Sequence, residues 1–296
     1  MQNSKLVIAV LLLIGLFVTG YQCSSTELTS ARLYIQQKNY DKAIEVLNQD
    51  IAKNPKSDEG YFLLGVAYGE KENMPMLVES FDKSLSISNK FAKEIGEYKA
   101  SYWSNYFNRA VNDYKKGTGT EDDDSVHIYL DNAIENYNTA ILLAPDTADN
   151  YRNLAYVYLT ILEYENAVEP LEKLVKLDKS NDGYQYLGEV YYTLGSTKMG
   201  DYKTSSNAQD SVEAITLFNK AITVLTEGKN LYPENSQISA TLTQSYIGAG
   251  RIDEALKEAE VSVKSDPSNK DYKYNYGVLL LNMERFAEAE TQFKDA

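Results

Sequence analysis

The sequence predicts an all-α protein built from repeated pairs of helices, and three patterns carry this prediction. A small residue followed four positions later by a large apolar one recurs along the chain. A motif of the form aromatic-x-x-Leu-small-x-x-Tyr precedes several of these pairs. Prolines return at one position of the repeat. A fixed period of this kind indicates an array in which each repeat is one supersecondary unit.

The first pattern sets the period. It occurs seven times, twice with a substitution, at Ala43/Leu47, Leu77/Phe81, Ala133/Tyr137, Ala167/Leu171, Ala221/Leu225, Ala255/Ala259 and Ala289/Phe293. Four of the six steps between successive copies are 34 residues, and the other two, 56 and 54 residues, indicate the same step plus an insertion. Because residues four apart share one face of a helix, the pattern predicts that each copy lies on a helix.

The second and third patterns mark the other parts of the repeat. Copies of the aromatic motif begin at Tyr61, Tyr151 and Tyr184, a looser copy begins at Trp103, and Tyr276-Gly277 opens the last. The small residue at the centre of the motif lets this helix approach the next one closely. Twelve residues after the first position of four of the pairs stand Pro55, Pro145, Pro233 and Pro267. A proline there ends the helix, because its ring removes a hydrogen-bond donor and disfavours helical backbone before it.

These residues resemble the tetratricopeptide repeat, whose signature is aromatic-x-x-Leu-Gly-x-x-Tyr, then Ala-x-x-x-Phe, then Pro. The resemblance covers nearly everything from about Glu27 to Ala296. It implies a right-handed α-solenoid of about seven antiparallel helix pairs, since one pair cannot bury its apolar face alone. It also implies a non-catalytic protein-binding scaffold, in which the first helices of the pairs line a concave groove that holds a partner protein or peptide.

Mapping the groove positions of this architecture onto the sequence gives a set of candidate binding residues. They are Asn105, Asn108, Asn112, Arg152, Asn153, Tyr156, Gln185, Glu189, Tyr192, Gln244 and Tyr274. Asn and Gln side chains can pair with the backbone of an extended peptide, and Tyr rings can stack on it. The members of the family that bind chaperones clamp a carboxylate with Lys, Arg and Asn. Arg152 and Asn153 are present here without the companion lysines, so this form of recognition is not expected.

Two insertions and the end of the chain depart from the pattern. The insertions lie near 111–126 and 196–210, and both are rich in small polar residues, so we expect polar loops. The last repeat stops at Ala296, inside its second helix. Because this would leave Val278, Leu279, Leu280, Phe286 and Phe293 with little cover, we expect the natural chain to continue or this end to dock on something.

Residues 1–23 predict an export segment ahead of the array at 24–296. Lys5 is followed by the apolar run 6–18, which matches a secretory signal and is short for a transmembrane helix. The residues around Cys23 resemble a bacterial lipoprotein junction, in which the Cys becomes the lipidated first residue of the mature chain. Ordinary cleavage after Gly20 is the alternative. The sequence therefore predicts an exported, periplasmic protein that touches a membrane only through this segment or a lipid at Cys23.

Composition excludes several classes of function. The formal net charge of −14 repels phosphate backbones, so nucleic acid is not an expected partner. With one Cys and one His, the chain can form neither an intramolecular disulfide nor a Cys/His zinc cluster. His127 lies beside an acidic stretch that we interpret as a solvated loop. In the absence of a phosphate loop or a nucleophile motif, we expect no catalytic activity, no metal and no cofactor.

Two other functions stay open at this stage. The chain could be a regulatory or targeting arm of a larger enzyme whose catalytic domain lies beyond residue 296, which a longer reading frame would favour. It could also be a glycan-binding envelope protein, because its 25 tyrosines offer rings on which sugars stack. Binding to isolated polysaccharide would favour this last hypothesis.

Overall fold

The computed structural model describes residues 25–296, so the predicted export segment and Cys23 lie outside the described residues. Within this range the chain forms fourteen α-helices and no strand, which confirms the predicted all-α fold of seven helix pairs. The pairs are α1 (Thr26–Gln36) with α2 (Tyr40–Lys53), α3 (Asp58–Glu70) with α4 (Met74–Ile87), α5 (Ala92–Gly119) with α6 (Asp123–Leu143), α7 (Ala148–Thr160) with α8 (Tyr164–Leu177), α9 (Asn181–Ser205) with α10 (Ala208–Leu231), α11 (Ser236–Gly248) with α12 (Ile252–Ser265), and α13 (Lys270–Asn282) with α14 (Phe286–Asp295).

The described residues divide into two compact units, 25–102 and Trp103–Ala296, with the boundary inside α5. The core of the first unit joins α1, α2 and α3 through Leu28, Leu47 and Leu64. In the second unit the largest core cluster runs from α7 to α11 and includes Leu171 and Leu225, neither of which is exposed at all. In each of these clusters, successive helices therefore bury their apolar stripes against one another, as expected for helices with one apolar face.

Short polar residues fix where many of the helices begin. The side chains of Asn39, Asn73 and Asn235 each accept a hydrogen bond from the backbone N–H three residues further on, at 3.4, 3.2 and 3.0 Å. Such a cap satisfies one of the backbone donors that a helix start leaves without a partner, and it stabilises a helix by about 0.5–2 kcal/mol.

The repeated prolines end second helices, as predicted. Pro55, Pro145, Pro233 and Pro267 stand just beyond the last residues of α2, α6, α10 and α12, respectively. Because a proline cannot donate to the preceding turn, the chain leaves the helix at the same place in each of these repeats.

The small residues of the aromatic motif bring the two helices of a pair into contact, which confirms the second prediction. Gly188 of α9 lies so close to α10 that a Cβ built on it would overlap Cδ2 of Leu225. A Cβ on Gly65 would overlap the ring of Phe81 in the same way. A side chain at either glycine would therefore overlap its partner unless one of the two helices or side chains shifts.

Both insertions are helical, so the prediction of polar loops was wrong. The inserted residues lengthen α5, α6, α9 and α10, and only short turns separate the helices of these two pairs. Gly117 packs against Leu130 and Gly195 against Phe218, with distances of 2.7 and 2.9 Å from a built Cβ to the nearest side-chain atom. The polar composition of the insertions suggested loops, but they also contain small and apolar residues at helical spacing. These residues pack the added helical turns against each other. His127 accordingly lies on α6, with an exposed side chain, and not in a loop.

The last pair covers more of its apolar residues than the sequence predicts. Leu279 and Leu280 are buried, and Leu279 packs against Ala255 and Ala259 of α12. Phe286, in contrast, is 63% exposed. Within residues 25–296, no helix combines the length and the apolarity that crossing a membrane requires.

Candidate functional site

A cavity of about 400 Å³ opens in the second unit between three successive first helices, α9, α11 and α13. Its volume falls in the range of about 300–1,000 Å³ that ligand pockets occupy. It is lined by Tyr192, Ser196, Met199, Gly200, Lys203, Phe218, Ala240, Thr243, Gln244, Ile247, Gly248, Asn275, Val278, Leu279 and Asn282.

The floor of the cavity is the ring of Phe218, which α10 places beneath α9 and α11. Phe218 is only 2% exposed, and its ring centroid lies 5.8 Å from that of Tyr192. Gly248 of α11 lies against the same ring, since a Cβ built on it would be 2.6 Å from Cζ of Phe218. The two helices can close on this ring because Gly248 and Gly195 have no side chains, and the base of the cavity is therefore apolar.

The added turns of α9 form one wall of the cavity. α9 has 25 residues and the ordinary first helix α7 has 13, so Ser196, Met199 and Lys203 exist as cavity residues only because α9 is long. Sequence reasoning missed them because it assigned residues 196–210 to a loop. The signal was present in the spacing, since Tyr192, Ser196, Met199 and Lys203 recur every three or four residues and share one helix face.

Polar groups surround the apolar floor. Gln244, Asn275 and Asn282 contribute amide side chains, which can both donate and accept hydrogen bonds. Lys203 is the one charged residue in the lining, and it forms no ion pair with any residue in the range 25–296. In the same range, no group of three or more His, Cys, Asp or Glu side chains is arranged to hold a metal ion.

Two of the sequence-predicted groove residues, Tyr192 and Gln244, line the cavity. Two more lie on the same helix as Tyr192: the amide of Gln185 donates to the carboxylate of Glu189 at 3.2 Å, and Asn235 donates to Gln185 at 3.1 Å. Burial raises the pKa of Glu189 above its usual value, against the opposing effect of hydrogen bonds from Gln237 and Gln185.

Arg152 and Tyr156 belong to an internal network that joins α7 to the start of α9. Arg152 forms ion pairs with Asp149, with Asp178 at 2.6 Å and with Asp182 at 2.9 Å. The hydroxyl of Tyr156 donates to Asp182 at 2.8 Å. Three carboxylates already surround this guanidinium, so it is poorly placed to bind the carboxylate of a ligand as well.

The remaining predicted residues lie apart from the cavity. Asn153 donates to the backbone oxygen of Asp149 at 2.8 Å. Tyr274 is 58% exposed, and its ring centroid lies 5.7 Å from that of Phe293 on the second helix of its own pair. The last three are exposed on α5: Asn105, Asn108 and Asn112.

Comparisons with known proteins agree with this architecture. Two family models match the chain, one described as TPR repeat over residues 31–71 and one described as tetratricopeptide repeat over residues 241–296. No curated protein matches the sequence significantly.

Among solved structures, similar folds include MamA from Desulfovibrio magneticus RS-1, at 14% identity and a TM-score of 0.46, over 66% of this chain and 92% of that one. YrrB, described as a TPR protein with an unusual peptide-binding site, is 22% identical, with a TM-score of 0.41 over 58% of this chain and 78% of that one. A thermophilic TPR protein of Thermus thermophilus is 19% identical, with a TM-score of 0.41 over 66% and 89% of the two chains.

The two family matches lie in the first pairs and in the last pairs of the chain. The pairs between them keep the same features: a small residue of the first helix against a large residue of the second, as at Gly188 and Leu225, and a proline such as Pro145 after the second helix. The segments 31–71 and 241–296 are therefore tetratricopeptide repeats, and the pairs between them share the same local contacts.

Proposed function

We propose that this chain is a non-catalytic scaffold of the bacterial cell envelope that holds a partner protein on the first helices of its repeats. The observation that carries the proposal is the cavity between α9, α11 and α13, which three successive first helices line together. A cavity shared by consecutive repeats suits an extended segment that crosses them, because such a segment runs across the helices and meets each in turn.

The cavity lining contains both apolar and polar groups, which would bind different parts of the partner. A side chain of the partner would bury apolar surface against Phe218 and Ile247, while the amides of Gln244, Asn275 and Asn282 would pair with its backbone. Ordering an extended segment costs conformational entropy, so the affinity of this site alone should be modest.

The test is a cross-linked pull-down from envelope extract with the chain as bait and with a variant whose cavity is filled. Gly200 lines the cavity, and a Cβ built on it meets nothing within 4 Å, so Gly200→Phe starts a large side chain at the cavity wall without overlap at its Cβ. The substitution also replaces a glycine inside a helix, which favours the helical state. We expect the original chain to capture a stoichiometric protein partner and Gly200→Phe to lose it.

Gly96→Phe is the matched control, because Gly96 also lies in a helix with nothing within 4 Å of a built Cβ. It lies on α5 and is not part of the cavity. Capture by Gly96→Phe together with loss by Gly200→Phe supports the scaffold function and places the partner at the cavity. The proposal fails if the chain captures no protein, or if both variants capture it equally.

The proposed location rests on residues 1–23 of the sequence, which precede the described residues. Their basic start and apolar run support export, and Cys23 supports anchoring by lipid. Expression in a bacterium fed with an alkyne-labelled fatty acid tests the anchor. We expect the label on the full chain and none on Cys23→Ser. A chain that is exported without label would instead support cleavage after Gly20.

A further inference from the structure

The same cavity indicates which segment it binds, in an inference that rests on the proposed function. We propose that it selects an extended peptide segment in which a large apolar side chain stands next to the carboxylate of an Asp or Glu. The apolar side chain enters the cavity, and the carboxylate meets the ammonium group of Lys203.

The apolar half of this preference follows from the walls. Phe218 forms the base, and Met199, Ile247 and Val278 line the sides. Met199 has a flexible, unbranched side chain that adapts to different apolar shapes. The cavity therefore favours a large aliphatic or aromatic residue, without strong preference among them.

The acidic half follows from charge. Lys203 is the one charged residue in the lining and has no ion-pair partner within residues 25–296. Its neighbour on the same helix, Lys198, is paired with Glu213 at 3.2 Å and does not line the cavity. Lys203 is therefore the basic group of this wall that remains available to a ligand.

The position of Lys203 determines at which end of α9 the carboxylate of the ligand lies. Glu189 lies fourteen residues before Lys203 on α9, and a rise of about 1.5 Å per residue separates the two by about 21 Å along the helix. The negative group thus lies far from the positive one, and Tyr192 and Met199 lie between them. An acidic residue of the ligand is attracted toward the Lys203 end and away from the Glu189 end.

Selection from a random library of phage-displayed twelve-residue peptides on the full chain tests this inference. The net charge of −14 would by itself favour basic peptides, so enrichment of acidic ones is a specific signature of Lys203. We expect enriched peptides to carry a large apolar residue with Asp or Glu within two positions. In the synthetic form of an enriched peptide, replacing that Asp by Asn should weaken binding about two- to fivefold, the usual effect of an exposed ion pair.

Lys203→Glu should keep the preference for a large apolar residue and replace the acidic preference with a basic one. Lys257→Glu changes the net charge by the same amount at an exposed position of α12 outside the cavity, so its selected peptides should match those of the original chain. Gly200→Phe should abolish enrichment. If peptides are enriched without acidic residues, or if Lys203→Glu changes nothing, this inference is wrong while the proposed function stands. If no peptide is enriched at all, both are wrong.

Discussion

The ordinary pair α13/α14 and the lengthened pair α9/α10 bury the same contact and differ in what they expose. In the first, Gly277 faces Phe293, with 2.7 Å from a built Cβ to the ring, and in the second, Gly188 faces Leu225. Both helices line the cavity beyond that shared contact, but α13 ends at Asn282, whereas the added turns of α9 contribute Ser196, Met199 and Lys203 as a further wall. The two pairs therefore share the contact of a glycine on the first helix with a large side chain on the second. They differ in helix length, and the longer helix adds binding surface.

The two lengthened pairs are stabilised differently. The pair α9/α10 keeps the glycine contact and adds a second one, where Gly195 meets Phe218. In the pair α5/α6, Phe107 occupies the motif position that Gly188 has in α9. Its ring packs edge-on against Tyr137, with centroids 5.7 Å apart. Trp103 lies beside Phe107, with centroids 5.3 Å apart. Large rings thus replace a small residue, and an additional polar contact fixes them.

That polar contact gives the largest expected effect on stability. Asn150 of α7 is fully buried and accepts a hydrogen bond from the indole N–H of Trp103 at 2.9 Å. Its amide also donates to the backbone oxygens of Ala140 and Ala144, at 3.3 and 2.9 Å. Asn150→Ala removes all three bonds and leaves buried partners without hydrogen bonds, so we expect the free energy of unfolding to fall by about 2–4 kcal/mol. Urea denaturation followed by circular dichroism measures it.

Asn153→Ala is the control on the same helix. Asn153 is half-buried and makes a single hydrogen bond within its own helix, to Asp149, so its loss should cost less than about 0.5 kcal/mol. Equal effects of the two substitutions would show that the contact with Trp103 does not fix the lengthened α5.

The second effect tests the contact that both kinds of pair share. A Cβ on Gly188 would overlap the side chain of Leu225, and overpacking of this kind costs about 1–3 kcal/mol. Alanine restores about 1 kcal/mol through its higher helix propensity. We therefore expect Gly188→Ala to destabilise the chain by about 1–2 kcal/mol in the same denaturation experiment.

Gly200→Ala should have the opposite sign. Gly200 lies on the same helix with no atom within 4 Å of a built Cβ, so only the helix propensity changes and the chain gains up to about 1 kcal/mol. If both substitutions stabilise the chain, the helices of the pair can separate at Gly188, and the shared contact is not required.

The sequence predicted the shared contact well because its physics is local and repeated. A glycine that must meet a large side chain recurs at a fixed distance from it, so Gly65 and Phe81, or Gly277 and Phe293, can be matched without coordinates. The prolines were predictable for the same reason, since each one ends a helix wherever it stands. The number of pairs followed from these two signals.

The cavity could not be predicted because it depends on residues that break the period. Polar composition suggested a loop at residues 196–210, yet Gly195 contacts Phe218, and the apolar side chain of Met199 lies one turn further along the same helix. Other predicted binding residues have side chains that already pair with other side chains of the protein. Arg152 was assigned to binding by its position in the repeat, and only the structure shows the carboxylates of Asp178 and Asp182 around it.

A third prediction concerns the turns between paired helices, where a residue with positive φ occurs in the ordinary pairs and also, at Ser206, in the lengthened pair α9/α10. In each of the five ordinary pairs, the turn between the helices contains one residue with positive φ: Lys38, Glu72, Leu162, Gly250 and Glu284. A side chain strains this conformation and glycine does not. Leu162 has φ 61° and is 67% exposed, so Leu162→Gly relieves strain without removing a buried group. We expect a gain of about 0.5–1 kcal/mol in the free energy of unfolding.

Gly250→Ala is the reverse experiment in another ordinary pair. Its φ of 75° is strained for alanine, and nothing lies within 4 Å of a built Cβ, so a loss of about 1 kcal/mol would come from the backbone alone. Thermal melts of the two variants should shift in opposite directions. A shift of both melts in the same direction would contradict this account of the turns.

The smallest expected effect concerns Glu189, on the face of α9 that leads to the cavity. Burial raises the pKa of its carboxyl group in the folded state, so the folded chain holds this proton to a higher pH than the unfolded chain does. Stability therefore falls as pH rises between the unfolded pKa, about 4.3, and the raised folded pKa. Glu189→Gln lacks this titrating group, so its advantage over the original chain should be absent below the unfolded pKa and should grow as pH rises through the raised folded pKa.

Asp182→Asn provides the contrast, because the folded-state pKa of Asp182 is shifted the other way. Burial raises that pKa, but hydrogen bonds from Ser180 and Tyr156, together with Arg152, outweigh burial and lower it. This carboxylate therefore stabilises the fold above its unfolded pKa of about 3.9, and the stabilisation is lost as pH falls through the lowered folded value. Asp182→Asn should be less stable than the original chain at pH 7, with a difference that shrinks in acid. Urea denaturation at pH 3, 5 and 7 measures both variants. If the difference in the free energy of unfolding from the original chain changes with pH in the same direction for both, burial does not raise the pKa of Glu189.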